Sequence, residues 1–563
     1  MKKVLLMAMA AALLLGRTSP SPAQQQGSQQ QPIATVAFRG YDELKSDIEF
    51  IGQAGGNPQL AAMVDGAVMQ QIGPQAMATL DKARPWGLVV QTDGQNFSGF
   101  AFLPVTDLGK LLAALEPRLG KASRDGGLYR FDRNQQSIFL KQQGQWTLIS
   151  NSADSIAAAP ADPVALLAGL EKQYDIAARI VIKNIPAGVR QMLMLPIQMG
   201  MQMGMQRLPD ESDEQYQLRM KMSQQAITQM NTALEELDTF QLALDIDRTA
   251  RKASVEYIAT AKEGTKIAQQ MATSVQDLTT QFAGLVQPQA ALTFNVVSQL
   301  PDASIEQMKT QFSAARARAE QDLDDNDALS GEQRQQAEKL LGMLFDAIQV
   351  TIEEGRIDAA GSVSMEGDAP TLVAGAHVVD PKKVEEVLKQ VAELASREEP
   401  SLAQAINLEA GEHAGVTLHE LNLPVAVFGD AAADFHDIFG DTLDVVVGIG
   451  EKSVYLAAGA DASQALRQAI DASDRQKGAK VPPARFRAAA GQVAGFVGKI
   501  AEDDAQQMAE TIRRTLAQKP GKDHITMSSS VIPNGQKVRV EVEEGILALL
   551  GALPTLMMSM QAR

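Results

Sequence analysis

The order of secondary-structure signals in this chain runs through once and then repeats, which constrains its fold more than any other feature. The first run opens with a strand, Ile33-Ala-Thr-Val-Ala-Phe38. Helical sequence follows from Asp42 to Lys82, then paired strands at Trp86–Gln91 and Phe97–Leu103. Asp107 is placed to cap a helix with Leu108, Leu111, Leu112 and Leu115 on one face. Strands at Leu128–Asp132, Ser137–Lys141 and Trp146–Ser150 come next, then a small helix from Ser152 and a strand at Ile176–Lys183.

The second run lays beside it. Ala290–Val297 matches the opening strand, and Ser304–Phe345 reads as helix with a break at Asp324–Asp327. Strands are predicted at Ile348–Ile352, Ile357–Met365 and Leu372–Val379. A helix then starts at Asp380-Pro381, with Val384, Val387, Leu388 and Val391 on one face. Strands at Val416–Leu421, Leu443–Ile449 and Ser453–Ala458 follow, then a helix after Asp461. The runs also end alike, in Phe240–Asp247 with Ala253–Thr260 and in Ile525–Ile532 with Val538–Glu543; Pro533-Asn534-Gly535 is a tight-turn signal.

Short turns between strands, with helices in separate runs, favour antiparallel pairing. The expected class is therefore α+β, a tandem duplication in which each half is an antiparallel sheet with helices packed on one face. The expected boundaries are a signal peptide at 1–23, a disordered Gln-rich spacer at 24–32, repeat 1 at 33–286 and repeat 2 at 290–563. Residue identity between the halves is low, so recurrence by chance stays open as the alternative.

The N-terminus predicts export. Lys2 and Lys3 precede an apolar run from Val4 to Leu15, and Ser21 and Ala23 suit a signal peptidase site before Gln24. The run is too short for the ~30 Å of a bilayer core, so no transmembrane span is expected after cleavage. A chain without cysteine has no disulfide and no lipid-modified N-terminal Cys. Removing Lys2, Lys3 and Arg17 with the leader takes the formal charge from −17 to −20. Such a field repels phosphate backbones, so nucleic acid is not an expected partner.

The methionine tract of residues 192–205 is the most unusual segment, with Met192, Met194, Met199, Met201, Met203 and Met205. Four readings compete. Thioethers suit Cu(I), and Met199 with Met203, or Met201 with Met205, share a helix face; yet the nearest histidine in sequence is His377. Gly200 and Gly204 suit close helix packing. Methionine repacks readily, which suits a partner or lipid surface. A helix covering the sheet is the plainest reading, and Pro196 is expected to kink or break it.

Other motifs carry little. Asp322-Leu-Asp324-Asp325-Asn326-Asp327 begins like a calcium loop, but Asp327 stands where such a loop needs Gly and Gln333 where it needs Glu. Ser330 with Gln333 reads as a capping box. Acids at Asp210, Glu211, Asp213 and Glu214 suit the first turn of a helix. His377, His413, His419, His436 and His524 lack paired metal-ligand spacing. No nucleophile elbow, Walker loop or dinucleotide fingerprint occurs, and neither cofactor nor metal is expected.

With its leader, its two runs and the segment Gly99-Phe-Ala-Phe-Leu-Pro-Val-Thr-Asp107-Leu-Gly-Lys-Leu-Leu112, the chain resembles large exported proteins of unknown function from planctomycete-type bacteria. That resemblance implies an exported two-repeat organisation and offers no catalytic residues. The expectation is a periplasmic or extracellular, non-catalytic binding or scaffold module with an envelope protein or lipid as partner. A carrier or sensor of an apolar ligand is the alternative, and a hydrolase using acidic residues the second alternative.

Overall fold

A computed structural model describes residues 30–551 apart from 134–135, 205–206, 208–212, 274–277, 325–329, 366, 368 and 501–502. The leader, residues 24–29 of the spacer, Asp325–Asp327, Asp210, Glu211 and Met205 lie outside the described residues. The chain is α+β and divides into two compact units, Met1–Ala268 with Pro533–Arg563, and Gln269–Ile532.

Unit 1 contains β1 (Gln31–Phe38), β2 (Trp86–Thr92), β3 (Phe97–Leu103), β4 (Ser123–Asp125), β5 (Leu128–Arg133), β6 (Gln136–Gln143), β7 (Trp146–Ser150), β8 (Ile176–Val181), β9 (Leu237–Asp247) and β10 (Lys252–Ala261). They pair antiparallel in the order 4-5-6-7-3-2-1-8-9-10, and a terminal strand, Gly535–Glu543, adds beside β10. Its main helices are α1 (Tyr41–Ala54), α2 (Leu60–Ile72), α3 (Leu108–Leu119), α4 (Ala187–Gly204) and α5 (Asp213–Glu236).

Unit 2 contains β11 (Leu292–Gln299), β12 (Arg356–Ser364), β13 (Thr371–His377), β14 (Ile406–His413), β15 (Val416–Pro424), β16 (Thr442–Ile449), β17 (Ser453–Gly459), β18 (Ala484–Ala489) and β19 (His524–Ile532). Their antiparallel order is 14-15-16-17-13-12-11-18-19, which parallels the unit 1 order from β4 to β9; β10 has no counterpart in unit 2. Its helices include α6 (Asp302–Asp324), α7 (Gly331–Glu354), α8 (Pro381–Glu398), α9 (Ala462–Arg475), α10 (Ala490–Ile500) and α11 (Asp503–Ala517).

One face of each sheet is closed over a core. In unit 1, Ala37, Val89, Phe100, Phe102, Leu148, Ala177 and Ala243 point from the strands onto Ile156, Leu167 and Leu170 of short helical turns. In unit 2, Ala360, Val373, Leu418, Val446 and Ala457 meet Leu466, Ala469 and Ile470 of α9, joined by Phe282 and Leu285. A side chain on Gly284 would sit 2.3 Å from the Ser473 backbone nitrogen, so glycine is what lets this turn lie against α9. The opposite face is covered at its edges. In unit 1, α3 packs Leu111 against Phe131 and Leu140, and α1 packs Phe50 against Ile246 and Ala253.

Several sequence expectations need correction. The boundary expected at 286–290 falls elsewhere. Thr279–Thr280 pairs with Ala479–Lys480 and Phe282 enters the unit 2 core, while the terminal strand pairs with β10 in unit 1. Ile348–Ile352 is the last turns of α7, not a strand. The helix set by the Ser330–Gln333 capping box continues until Gly355, whose φ of 74° stops it, and this overrides the alternating β-branched pattern. β1 begins at Gln31 rather than Ile33, because pairing with Thr92 draws the polar residues into the ladder. Pro381 opens α8, but Asp380 makes no capping hydrogen bond. Pro196 does not end α4, which runs through it to Gly204. Asp107 and Ser330 accept the capping bonds their positions promised, from the Lys110 and Gln333 N–H groups, and Ser152 also caps its helix through the Ser155 N–H.

Candidate functional site

The side of each sheet away from its closed core carries apolar side chains that stay partly exposed beyond the helices at its edges; in unit 2, α8 covers this face next to Leu456, over buried His419. The exposed side chains of unit 2 form one row across the strands. Cross-strand pairing aligns Leu456, Ala374, Gly361, Phe294, Phe486 and Met527 on β17, β13, β12, β11, β18 and β19. Five strand spacings of ~4.8 Å make this row about 24 Å long. Phe486 is 39% and Met527 44% exposed, with Phe294 and Leu456 close behind. In unit 1 the equivalent face carries Ile180 on β8, Leu242 on β9, Val255 and Tyr257 on β10 and Val540 on the terminal strand. Leu242 sits opposite Tyr257, and they are 48% and 46% exposed. Scattered exposed apolar residues are ordinary, whereas rows of them on one face of each unit's sheet make that face the candidate site.

The methionine tract divides on inspection. Met192 and Met199 are exposed on α4, forming a stripe with exposed Leu195, whereas Met194 is buried. Met201 and Met203 lie in the same helix with side chains outside the described residues, as does all of Met205, so the expected thioether pairs are not placed.

Carboxylates converge in two places. In unit 1, Asp47 and Asp175 are both buried near Arg39, Glu43 and Arg248. Burial pushes Asp47 up to about 7, with Asp175 adding to the shift. Burial likewise holds Asp175 above the usual carboxylate range, against the Ile246 N–H and Arg39. In unit 2, a cleft of about 600 Å³ is lined by Glu420, Asp444, Asp471, Arg467 and Asn422, and the Ser463 hydroxyl donates to Glu420 at 2.7 Å. The carboxyl groups pushed upward are thus buried in the other unit, not lining this cleft. Among the described residues no group of three acids or histidines could hold a metal ion, and no helix is long and apolar enough to cross a membrane.

Three of the histidines sit in structural contacts. His377 meets Glu354 at 2.5 Å, and His413 meets Asp471 at 2.8 Å. His419 is fully buried; its Nδ1 accepts from the Glu409 N–H, and burial lowers its pKa. The folded unit therefore disfavours the imidazolium. Stability present above the ordinary histidine value is lost as pH falls through it. Urea midpoints of unit 2 are expected to drop between pH 7.5 and 5.5, and to drop less in His419→Gln; an equal drop in both would contradict this.

Comparison with known proteins returns no matching family model, no matching curated protein and no matching solved structure.

Proposed function

We propose that this protein is an exported, non-catalytic binding module that carries an apolar chain, a lipid or acyl group, on the open faces of its two sheets. The observation that carries this reading is the row from Leu456 to Met527, with its counterpart around Leu242 and Tyr257. Covering such a row removes large aliphatic and aromatic side chains from water, which favours an apolar ligand. The exposed stripe of Met192, Leu195 and Met199 adds an adaptable surface for the same ligand or for an envelope partner that receives it. The leader sequence supports export, and the matching strand orders support descent from a duplicated module.

A hydrolase gains less support, because Asp47 and Asp175 are closed off from substrate. To test the main reading, protein whose first residue is Gln24 is recovered from the exported fraction, purified without detergent and titrated with a fluorescent long-chain fatty acid. Saturable micromolar binding is expected. Signal that rises only in proportion to added probe, without saturation, would refute it.

A further inference from the structure

We propose that Asp47, beside Asp175, forms a proton-operated latch, which seats α1 on the end of the unit 1 sheet while Asp47 holds a proton and loosens it when that proton leaves. Asp47 is on α1 and Asp175 stands just before β8, so the pair ties helix to sheet. Asp175 is fully bonded: Oδ1 meets Arg39 at 3.0 Å and Oδ2 accepts the Ile246 N–H at 2.7 Å. Asp47 is not. Its Oδ1 lies 3.3 Å from Arg248 Nε, and its Oδ2 is buried with no hydrogen-bond partner. A buried, unpartnered carboxylate oxygen is costly when charged and tolerable when protonated.

The local charges say the same. Arg39 faces Asp175, and Arg248 is shared between Asp47 and Glu43. With Asp47 neutral, each guanidinium has one carboxylate; with Asp47 ionised, a third carboxylate has no cation of its own. Asp245 on β9 adds further negative charge toward Asp175. The chain-end segment that packs on α1 brings Glu544, already paired with Arg251. What α1 covers gives the latch its consequence. Phe50 and Ala54 sit on Ile246, Ala253 and Leu547, directly along the strands from exposed Leu242 and Val255, so unseating α1 would lengthen the open apolar face.

The sign follows from linkage. Asp47 lies near 7 in the seated state against an ordinary 3.8 once exposed. Seating is therefore strongest in acid, weakens as pH rises from about 4 and reaches its minimum above about 7. Between pH 5.5 and 8 the opening equilibrium of α1 should grow on the order of thirtyfold.

Hydrogen exchange on the full chain, without ligand and corrected for intrinsic rates, tests the latch apart from any binding role. Peptides covering Tyr41–Ala54 are expected to lose protection about thirtyfold from pH 5.5 to 8, while α3 changes less than threefold. Asp47→Asn should keep α1 protected at both pH values. Wild-type α1 changing less than threefold, or α3 losing as much as α1, would overturn the proposal whether or not the variant folds. So would an unchanged pH response in Asp47→Asn.

Discussion

Serine at both Leu242 and Tyr257 is expected to weaken apolar-ligand capture by unit 1 about a hundredfold, and serine at both Phe486 and Met527 to do the same in unit 2. Each side chain is about half exposed, so a ligand lying on it completes its burial. Full burial of such side chains is worth ~1.5–3 kcal/mol each, and 1.4 kcal/mol is a tenfold change in affinity. A double substitution should weaken its own unit's binding by about a hundredfold. Folding should suffer little, because these side chains are not core. Fatty-acid titration, with circular dichroism as the control for folding, measures both. Affinity within threefold of wild type would place the ligand elsewhere.

Phe102→Ala is expected to have the largest effect on stability, ~3–5 kcal/mol lost from unit 1. Phe102 is wholly buried between Val89, Leu148 and the turns carrying Leu167 and Leu170, and its ring meets Trp146 edge-on with centroids 5.6 Å apart. Removing the ring leaves a cavity in a cluster that β2, β3 and β7 build together, which cannot collapse without moving strands. Urea denaturation followed by Trp146 fluorescence measures the loss. A midpoint unchanged from wild type would mean that this face is not packed as described.

Much of the fold was readable from sequence because local signals agreed with tertiary needs. Asp107 and Ser330 announced helix starts through their capping side chains, and Asn534 takes the positive φ, 53°, that its turn signal requires. Where local and tertiary forces disagreed, the sequence misled. Ile348–Ile352 looks extended by composition but is held helical by the turns before it, and Phe282 is claimed by a core that residue order alone does not reveal.

The candidate site was less legible. Leu242 and Phe486 sit in runs that any strand could show, and period two says which residues share a face, not whether a helix covers it. Asp47 and Asp175 are ordinary acids in sequence; only the fold closes α1 over the start of β8 and leaves an oxygen without a donor. The methionine tract was visible from the start, but exposure separates Met192 and Met199 from buried Met194 only once the helix is placed.

The central claim is that the open sheet faces carry an apolar chain. Photolabelling with a diazirine-bearing fatty acid, followed by peptide mapping, tests it most directly. Label is expected on Tyr257 and Leu242 in unit 1 and on Phe294, Phe486 and Met527 in unit 2, and is expected to be lost when unlabelled fatty acid competes. Label confined to other surfaces, or insensitive to competition, would contradict it.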